Sequence, residues 1–327
     1  MSARPSLTWR SAAQKRRLAR GLELVEERLT TVASEYPGDL GDACRATLAA
    51  GGKRVRPLLT LLCARRGDAA GEPVLRAAAG VELLHMATLV HDDVLDRAEL
   101  RRGRPTVAHR YGADMAVSAG NYLLARAFSE LVGAGVPAAV DLLSATAVGL
   151  SEGEVLQRAE AHDVGIGVDA YVRRCERKTA DLFSAACSLG ALLSGAGDDV
   201  AGAVGEYGRL IGIAFQVFDD ILDCSGDEAA TGKRPGTDIR DGTITLPLIY
   251  ALEARPELAR ILGNPEADDA AVASVLGAVA QSGALERARR DALRYIGDAR
   301  SVLDSCPDTV ERELLAQVAA QVVDRYS

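Results

Sequence analysis

The sequence predicts an all-α fold, and three observations carry that reading. Alanine and leucine dominate the 327 residues while aromatic residues make up only 4%, a balance that favours helices over sheets. Apolar residues recur at three- and four-residue intervals between Gly and Pro punctuation. No stretch of useful length alternates apolar and polar residues as a half-buried strand does. No Ser/Pro-rich or low-complexity linker divides the chain. It is therefore expected to form one domain over residues 1–327, a helical bundle long enough to close around a large central cavity, with residues 1–8 as an N-terminal tail.

The elements follow in order. Leu18, Leu22, Val25 and Leu29 keep helical spacing, so a first helix is expected from Trp9 to Ser34, ended by Tyr36-Pro37-Gly38. A second ends at Gly51-Gly52. Pro57, tolerated in a first turn, opens a third that stops near Gly67. Pro73 marks the start of a fourth, whose apolar pattern runs to Asp96, and residues 97–105 read as a basic loop. Helices are then expected over residues 112–133, 137–161, 169–193 and 201–223. Gly, Asp, Thr and Pro crowd the stretch from Cys224 to Thr243, which reads as a long functional loop. Several shorter helices follow from Leu246 to Tyr326.

A formal net charge of −8 argues against a general nucleic-acid binder, which needs an excess of Lys and Arg. The six cysteines (Cys44, Cys63, Cys175, Cys187, Cys224, Cys306) form no C-x-x-C pair and are scattered like small core residues. Free thiols in a reducing compartment, the cytoplasm, are expected. Residues 1–20 carry Arg4, Arg10, Lys15, Arg16, Arg17 and Arg20 with no apolar h-region behind them, unlike a secretory signal. A transit peptide, a membrane-surface patch and the exposed face of the first helix all fit that cluster; the continuing helical period favours the last. No apolar run is long enough to span a bilayer, so any membrane contact is expected to be peripheral.

Two aspartate runs stand out: His91-Asp92-Asp93-Val94-Leu95-Asp96 and Phe218-Asp219-Asp220-Ile221-Leu222-Asp223. In a helix the first and last Asp of each run lie one turn apart on one face, about 6 Å along the axis. Anions that close repel unless a cation lies between them. Carboxylates at that spacing suit a hard divalent ion such as Mg²⁺, usually completed by water and substrate phosphates. Asp92, Asp93, Asp96, Asp219, Asp220 and Asp223 are thus candidate metal ligands. His85, Thr88, Asp92 and Asp96 form one polar stripe on an otherwise apolar helix, as do Gln216, Asp219 and Asp223 on another. A solvent-exposed face is the alternative, but the apolar flanks leave little room for one. A single run is modest evidence, since helix surfaces often collect acids; two on separate apolar helices are harder to dismiss.

The cations cluster as well. Gly51-Gly52-Lys53-Arg54-Val55-Arg56-Pro57 places Lys53 and Arg56 in a glycine-flexed turn at a helix start, where anions are favoured. It is not a Walker loop, because the G-x-x-x-x-G-K spacing is absent. Arg101-Arg102-Gly103-Arg104 follows the first run, Lys178-Thr179 sits in a helical pattern, and Thr231-Gly232-Lys233 lies in the long loop. Each alone fits an ordinary surface charge; together they flank two acidic plates, as a metal-bridged polyanion would require. The amide of Gln216 and the imidazole of His85 are suited to donate to phosphate oxygens. Glu82-Leu83-Leu84-His85 has the E-x-x-H spacing of di-iron bundles, but that architecture needs a second copy and none exists. His91, His109 and His162 have no comparable context and read as structural or exposed.

These motifs resemble the trans-polyprenyl diphosphate synthase family, the head-to-tail isoprenyl transferases. Residues 51–57, Glu82-Leu83-Leu84-His85, the first run with Arg101-Arg102-Gly103, Lys178-Thr179-Ala180, Phe215-Gln216 with the second run, Gly232-Lys233, Asp238 and Thr245-Leu246-Pro247 occur in family order over most of the chain. The resemblance implies an isoprenoid-synthase-type bundle, a homodimer and one reaction, the condensation of isopentenyl diphosphate with an allylic diphosphate. It implies Mg²⁺, three ions with substrate bound, between the Asp92/Asp96 and Asp219/Asp223 plates. It puts Arg101, Lys178, Gln216 and Lys233 on the allylic diphosphate, with Thr179 beside them, and Lys53, Arg56, His85 and Arg102 on isopentenyl diphosphate. Two residues depart from the pattern: Asn121 stands where many relatives have Asp, and Thr243 where many have Lys, so Thr243 is not counted as a site.

Short-chain relatives often place an aromatic ring four or five residues before the first Asp. Here those positions hold Thr88 and Ala87, both small. A medium or long product is therefore expected, with Leu84, Phe128 or Leu131 as candidate tunnel floors. Ala77-Ala78-Ala79-Gly80 is also small, from the tunnel or from close helix packing. A short-chain synthase is the nearest alternative. A class I terpene cyclase would replace the second run with an Asn/Asp-Ser/Thr-Glu pattern, and a non-catalytic subunit would tend to lose the acids and cations retained here.

Overall fold

The computed structural model describes residues 7–9, 11–225 and 235–324. Helix α1 (Ala12–Ser34) starts where the Ser11 hydroxyl accepts from the Gln14 amide at 3.1 Å, satisfying one of the donors a helix start leaves open. Leu18, Val25 and Leu29 are buried along its inner face, while Arg20 sits outside among Glu23 and Glu27. The basic cluster is, over its described part, a helix face. Leu7 is buried, and Thr8 exchanges two hydrogen bonds with the Gln317 side chain, so the docked chain begins ahead of Trp9.

Helices α2 (Asp39–Ala49), α3 (Val55–Cys63) and α4 (Glu72–Leu95) follow, the last with proline in its first turn. Residues 97–105 fold into a two-residue hairpin, β1 (Leu100–Arg101) against β2 (Arg104–Pro105), rather than a plain loop. Arg102 (φ 53°) and Gly103 (φ 72°) are both left-handed, as a tight two-residue hairpin turn requires. Then come α5 (Val107–Tyr111), α6 (Ala113–Gly133), α7 (Pro137–Ala159) and α8 (Val168–Cys175). The single helix expected over 169–193 is interrupted: a π-helical turn at Glu176–Ala180 separates α8 from α9 (Asp181–Leu193). The remainder is α10 (Asp198–Ser225), α11 (Thr237–Arg240), α12 (Leu246–Ala254), α13 (Ala259–Leu262), α14 (Asp269–Gln281), α15 (Ala284–Ser305) and α16 (Arg312–Asp324). The all-α class therefore holds.

Spatial proximity of the Cα atoms groups the chain into two compact units. The first comprises Met1–Val148, Leu182–Gly208 and Val302–Val318. Its core is α4 laid along α6. Ala77, Ala78 and Ala79 are fully buried, and Gly80 lets Leu131 and the Ala127 carbonyl come close, so the small run serves helix packing here. Among the described residues α4 alone is long and apolar enough to cross a bilayer, and 72% of its apolar window is buried inside the fold. Two interior carboxylates tie the periphery down: Glu130 accepts from Arg28 and Arg76, and Glu311 from Gln14 and Arg17.

The second unit comprises Gly149–Asp181, Arg209–Ser301 and Ala319–Ser327. His162 joins two of its segments, donating its amide to the Gly242 carbonyl at 2.8 Å and placing Nδ1 3.2 Å from the Leu262 carbonyl. Buried Arg174 adds bonds to Glu160 at 2.7 Å and the Ile244 carbonyl at 2.6 Å. All six cysteines are buried free thiols.

Candidate active site

The polar stripe of α4 divides by helix phase. Asp92 is half-buried and Asp96 exposed, while Asp93, one position around the helix, is buried. Its carboxylate accepts from Arg101 Nε at 2.7 Å, and its carbonyl accepts the Ala98 amide at 2.9 Å. Asp93, expected as a metal ligand, thus anchors the hairpin through a charge-assisted bond in a site nearly closed to water. The same bond gives Arg101 a fixed base.

The Gly51–Arg54 turn is built around Arg54, which sequence reasoning passed over. With φ at 51° its side chain is buried between Glu26 (2.9 and 3.2 Å) and Glu82 (3.0 Å). Glu82 is therefore committed to a guanidinium. Arg104 donates to the Ala49 carbonyl at 2.7 Å and Arg102 to the Gly51 carbonyl, so the hairpin satisfies carbonyls that the end of α2 leaves open. Gly51, Arg54, Glu82, His85, Arg101 and Arg102 border a cavity of about 40 Å³, room for a water or two. Beside it Arg56 lies 4.6 Å over the Phe183 ring, a cation–π contact. Its buried Nε finds no acceptor among the described residues, and burial lowers its pKa to about 10. Burial, then Arg56, Arg102, Arg101 and Arg54, hold His85 well below the usual imidazole range, so at neutral pH it is an uncharged donor. Lys53 is half-buried in the same turn.

Upstream of Asp92 on α4, Ala87 and Leu84 are buried, and Thr88 turns its hydroxyl to the His85 carbonyl at 2.8 Å. Leu131 fills the notch beside Gly80 and Phe128 is half-buried. His91 packs on Gly120 of α6, and Asn121 is exposed.

In the second unit the same phase rule operates. Asp219 is exposed and Asp220 buried. Asp220 accepts from the Tyr171 hydroxyl at 2.6 Å and from Gln216 Nε2 at 2.8 Å, while Gln216 Oε1 accepts the Thr179 hydroxyl at 2.8 Å. Burial pushes the Asp220 carboxyl up to about 7, with Tyr171 and Gln216 opposing. Asp220, expected as a metal ligand, thus resembles Asp93 in being buried and bonded to neighbouring side chains. Gln216 sits in a chain running Thr179, Gln216, Asp220, Tyr171, and retains one amide hydrogen for a ligand. Asp223 accepts the Thr237 amide at 3.0 Å and the Asp238 amide at 3.1 Å, capping α11 with both oxygens. Lys178, on the π turn, is bound to Glu154 at 2.7 Å. Thr243 is buried, its amide bonded to the Asp238 carbonyl at 2.7 Å. Lys233 lies outside the described residues.

Among the described residues no three His, Cys, Asp or Glu side chains converge on one point. Asp96 and Asp219, exposed, and Asp92, half-buried, offer hard oxygen donors.

The polyprenyl synthetase family profile matches residues 38–279. Heptaprenyl diphosphate synthase component 2 of Geobacillus stearothermophilus is 40% identical over 310 residues, 94% of this chain and 97% of that protein. Geranylgeranyl diphosphate synthase of Methanosarcina mazei is 37% identical over 294 residues, 88% and 90% of the two chains. The crystal structure of a Caulobacter crescentus polyprenyl synthase, complexed with calcium and isoprenyl diphosphate, superposes with a TM-score of 0.82 at 32% identity, covering 96% of each chain.

Proposed function

The chain belongs to the polyprenyl synthetase family and is a trans-prenyltransferase, and from that premise we propose the following reaction and product. It condenses isopentenyl diphosphate with an allylic diphosphate, using Mg²⁺, to make an all-trans polyprenyl diphosphate of about C30–C50, one isoprene unit matching roughly one helical turn of tunnel. The observation that supports this reading is the division of labour in both aspartate runs: the middle acid is buried against a neighbouring side chain, while Asp96 and Asp219 are exposed and Asp92 is half-exposed. Asp92, Asp96 and Asp219 would hold the metal, with Asp223 as a further donor. When bound, Mg²⁺ supplies the positive charge that offsets the two diphosphates. Unit charges 4 Å apart interact by about 4 kcal/mol at an effective dielectric near 20, so such an assembly needs cations.

The chain's own residues do the rest. Arg101, Lys178, Gln216 and Lys233 orient the allylic diphosphate and stabilise it as it departs. Lys53, Arg56, Arg102 and neutral His85 hold isopentenyl diphosphate; the unpartnered Nε of Arg56 suits it to an anion. The allylic C1–O bond ionises, the isopentenyl double bond attacks C1, and a proton leaves to the released diphosphate. Ala87 and Thr88 put no aromatic ring at the positions where short-chain relatives often carry one, which favours the longer products over the short-chain reading. Product chromatography of Ala87→Phe with a farnesyl primer tests this: the ladder shortens if the chain grows past that position, and stays unchanged if it does not.

A second reading, a subunit that needs a partner, is supported by the G. stearothermophilus relative's name. Purified chain with Mg²⁺ and labelled isopentenyl diphosphate decides it: turnover alone argues for self-sufficiency, turnover only with a second protein for a heteromer. Homodimerisation fits the exposed stripe of Val148 and Val155, two turns apart on α7, and light scattering would size the assembly. A reducing, cytoplasmic compartment fits the six free thiols.

A further inference from the structure

Glu154 carries no motif, and nothing in the reaction outlined above uses it. It stands on α7, its side chain 15% exposed, with Oε2 2.7 Å from Lys178 Nζ and Oε1 3.0 Å from Arg158 Nε. The other acids around these turns face arginines: Glu160 meets Arg174, Glu176 meets Arg209, and Asp181 meets Arg177. Glu154 has Arg158 as well, but it is the one of them that also takes a lysine.

The backbone is shaped to make this contact. Gly153 is buried against the π turn, and a Cβ there would lie 2.7 Å from the Lys178 amide nitrogen and 3.0 Å from the Arg177 carbonyl carbon. Both are backbone atoms, so no side-chain rotation would relieve the clash. The glycine lets α7 close on the turn, and the next residue delivers a carboxylate to the ammonium. On the opposite flank Thr179 is fixed to Gln216. Consecutive residues of one π turn are therefore each held by a different neighbouring helix, and π turns inside helices often mark functional positions.

We propose that Glu154 is a positioning residue for Lys178, holding its flexible stem so that the ammonium is presented to the allylic diphosphate. The proposal rests on the reading that Lys178 binds that diphosphate. A free lysine loses much side-chain freedom when it grips an anion; a lysine already tied at one of its three donors has lost part of it beforehand and keeps two donors for phosphate oxygens. Glu154 also accepts Arg158, so the trio retains a net positive charge.

The test is a double-mutant cycle read by calorimetric Kd for farnesyl thiodiphosphate with Mg²⁺ and by KM for each substrate. Glu154→Ala should weaken allylic binding about tenfold, while KM for isopentenyl diphosphate stays within about twofold. Glu154→Gln, whose amide oxygen still accepts from the ammonium, should recover most of that loss. In a Lys178→Ala background Glu154→Ala should add nothing. A Glu154→Ala effect that persists undiminished in that background overturns the proposal, as does an unaltered allylic Kd in the single variant. Lys178→Ala with wild-type allylic Kd and KM refutes the underlying reading of Lys178, and the proposal with it.

Discussion

The two Asp-Asp-x-x-Asp runs bury the same member, the second, and treat it differently. Asp93 meets a guanidinium and Asp220 meets a phenol and a carboxamide. Arginine keeps its charge at any pH a protein meets, so the first buried acid has a charged partner. Neutral donors leave the second to bear the cost of burial, and its carboxyl rises to about 7. Yet the outcome is common to both. Each inward acid fixes a neighbour proposed to touch diphosphate, Arg101 in one run and Gln216 in the other. The repeated spacing sets which acid turns inward; the partner it finds there is a local matter.

The largest effect expected from this contrast is on turnover. Removing an outward acid, Asp92→Ala or Asp219→Ala, should lower kcat/KM on the order of a thousandfold, with little change in melting temperature by calorimetry. A variant that melts early instead would break the distinction between outward and inward acids. Next in size is stability. Asp93→Ala strands a half-buried arginine and should cost about 3 kcal/mol, read from urea midpoints. Asp220→Asn keeps an acceptor for Tyr171 and should cost only about 1 kcal/mol. Equal losses would show that charged and neutral partners hold their acids alike.

The smallest effect is on pH dependence. His85 has a folded pKa below its ordinary value of 6.5. The unfolded chain therefore takes up the proton first, and the stability present at neutral pH is lost as pH falls below about 6.5. His85→Gln should flatten that acid limb in urea titrations compared at pH 7 and pH 5.5. An unchanged limb would mean that the arginines around His85 do not govern its titration.

Much of this was legible in the chain. Apolar spacing and Pro/Gly punctuation locate α1, α6 and α7, which each bury one side, and α4, whose apolar middle is buried all round. The aspartate runs were recognisable because acids one turn apart on apolar helices need an explanation. Which acid of each run faces inward was not, since that depends on what packs beside the helix. The π turn escaped for a related reason. One extra residue in a turn hardly alters the apolar pattern of 169–193, and the closeness of Gly153 is a tertiary fact. Arg54 read as one basic residue among several because its two acids lie 28 residues away on either side. Arg102 looked like a loop residue because an arginine does not advertise a left-handed backbone.

Six enclosed sulfhydryls give the molecule a built-in clock. An alkylating reagent can reach them only when the helices part, so iodoacetamide uptake counted by mass spectrometry would time each opening event. Because the cysteines are scattered from Cys44 to Cys306, peptide mapping of the tags would rank the segments by how readily they come apart.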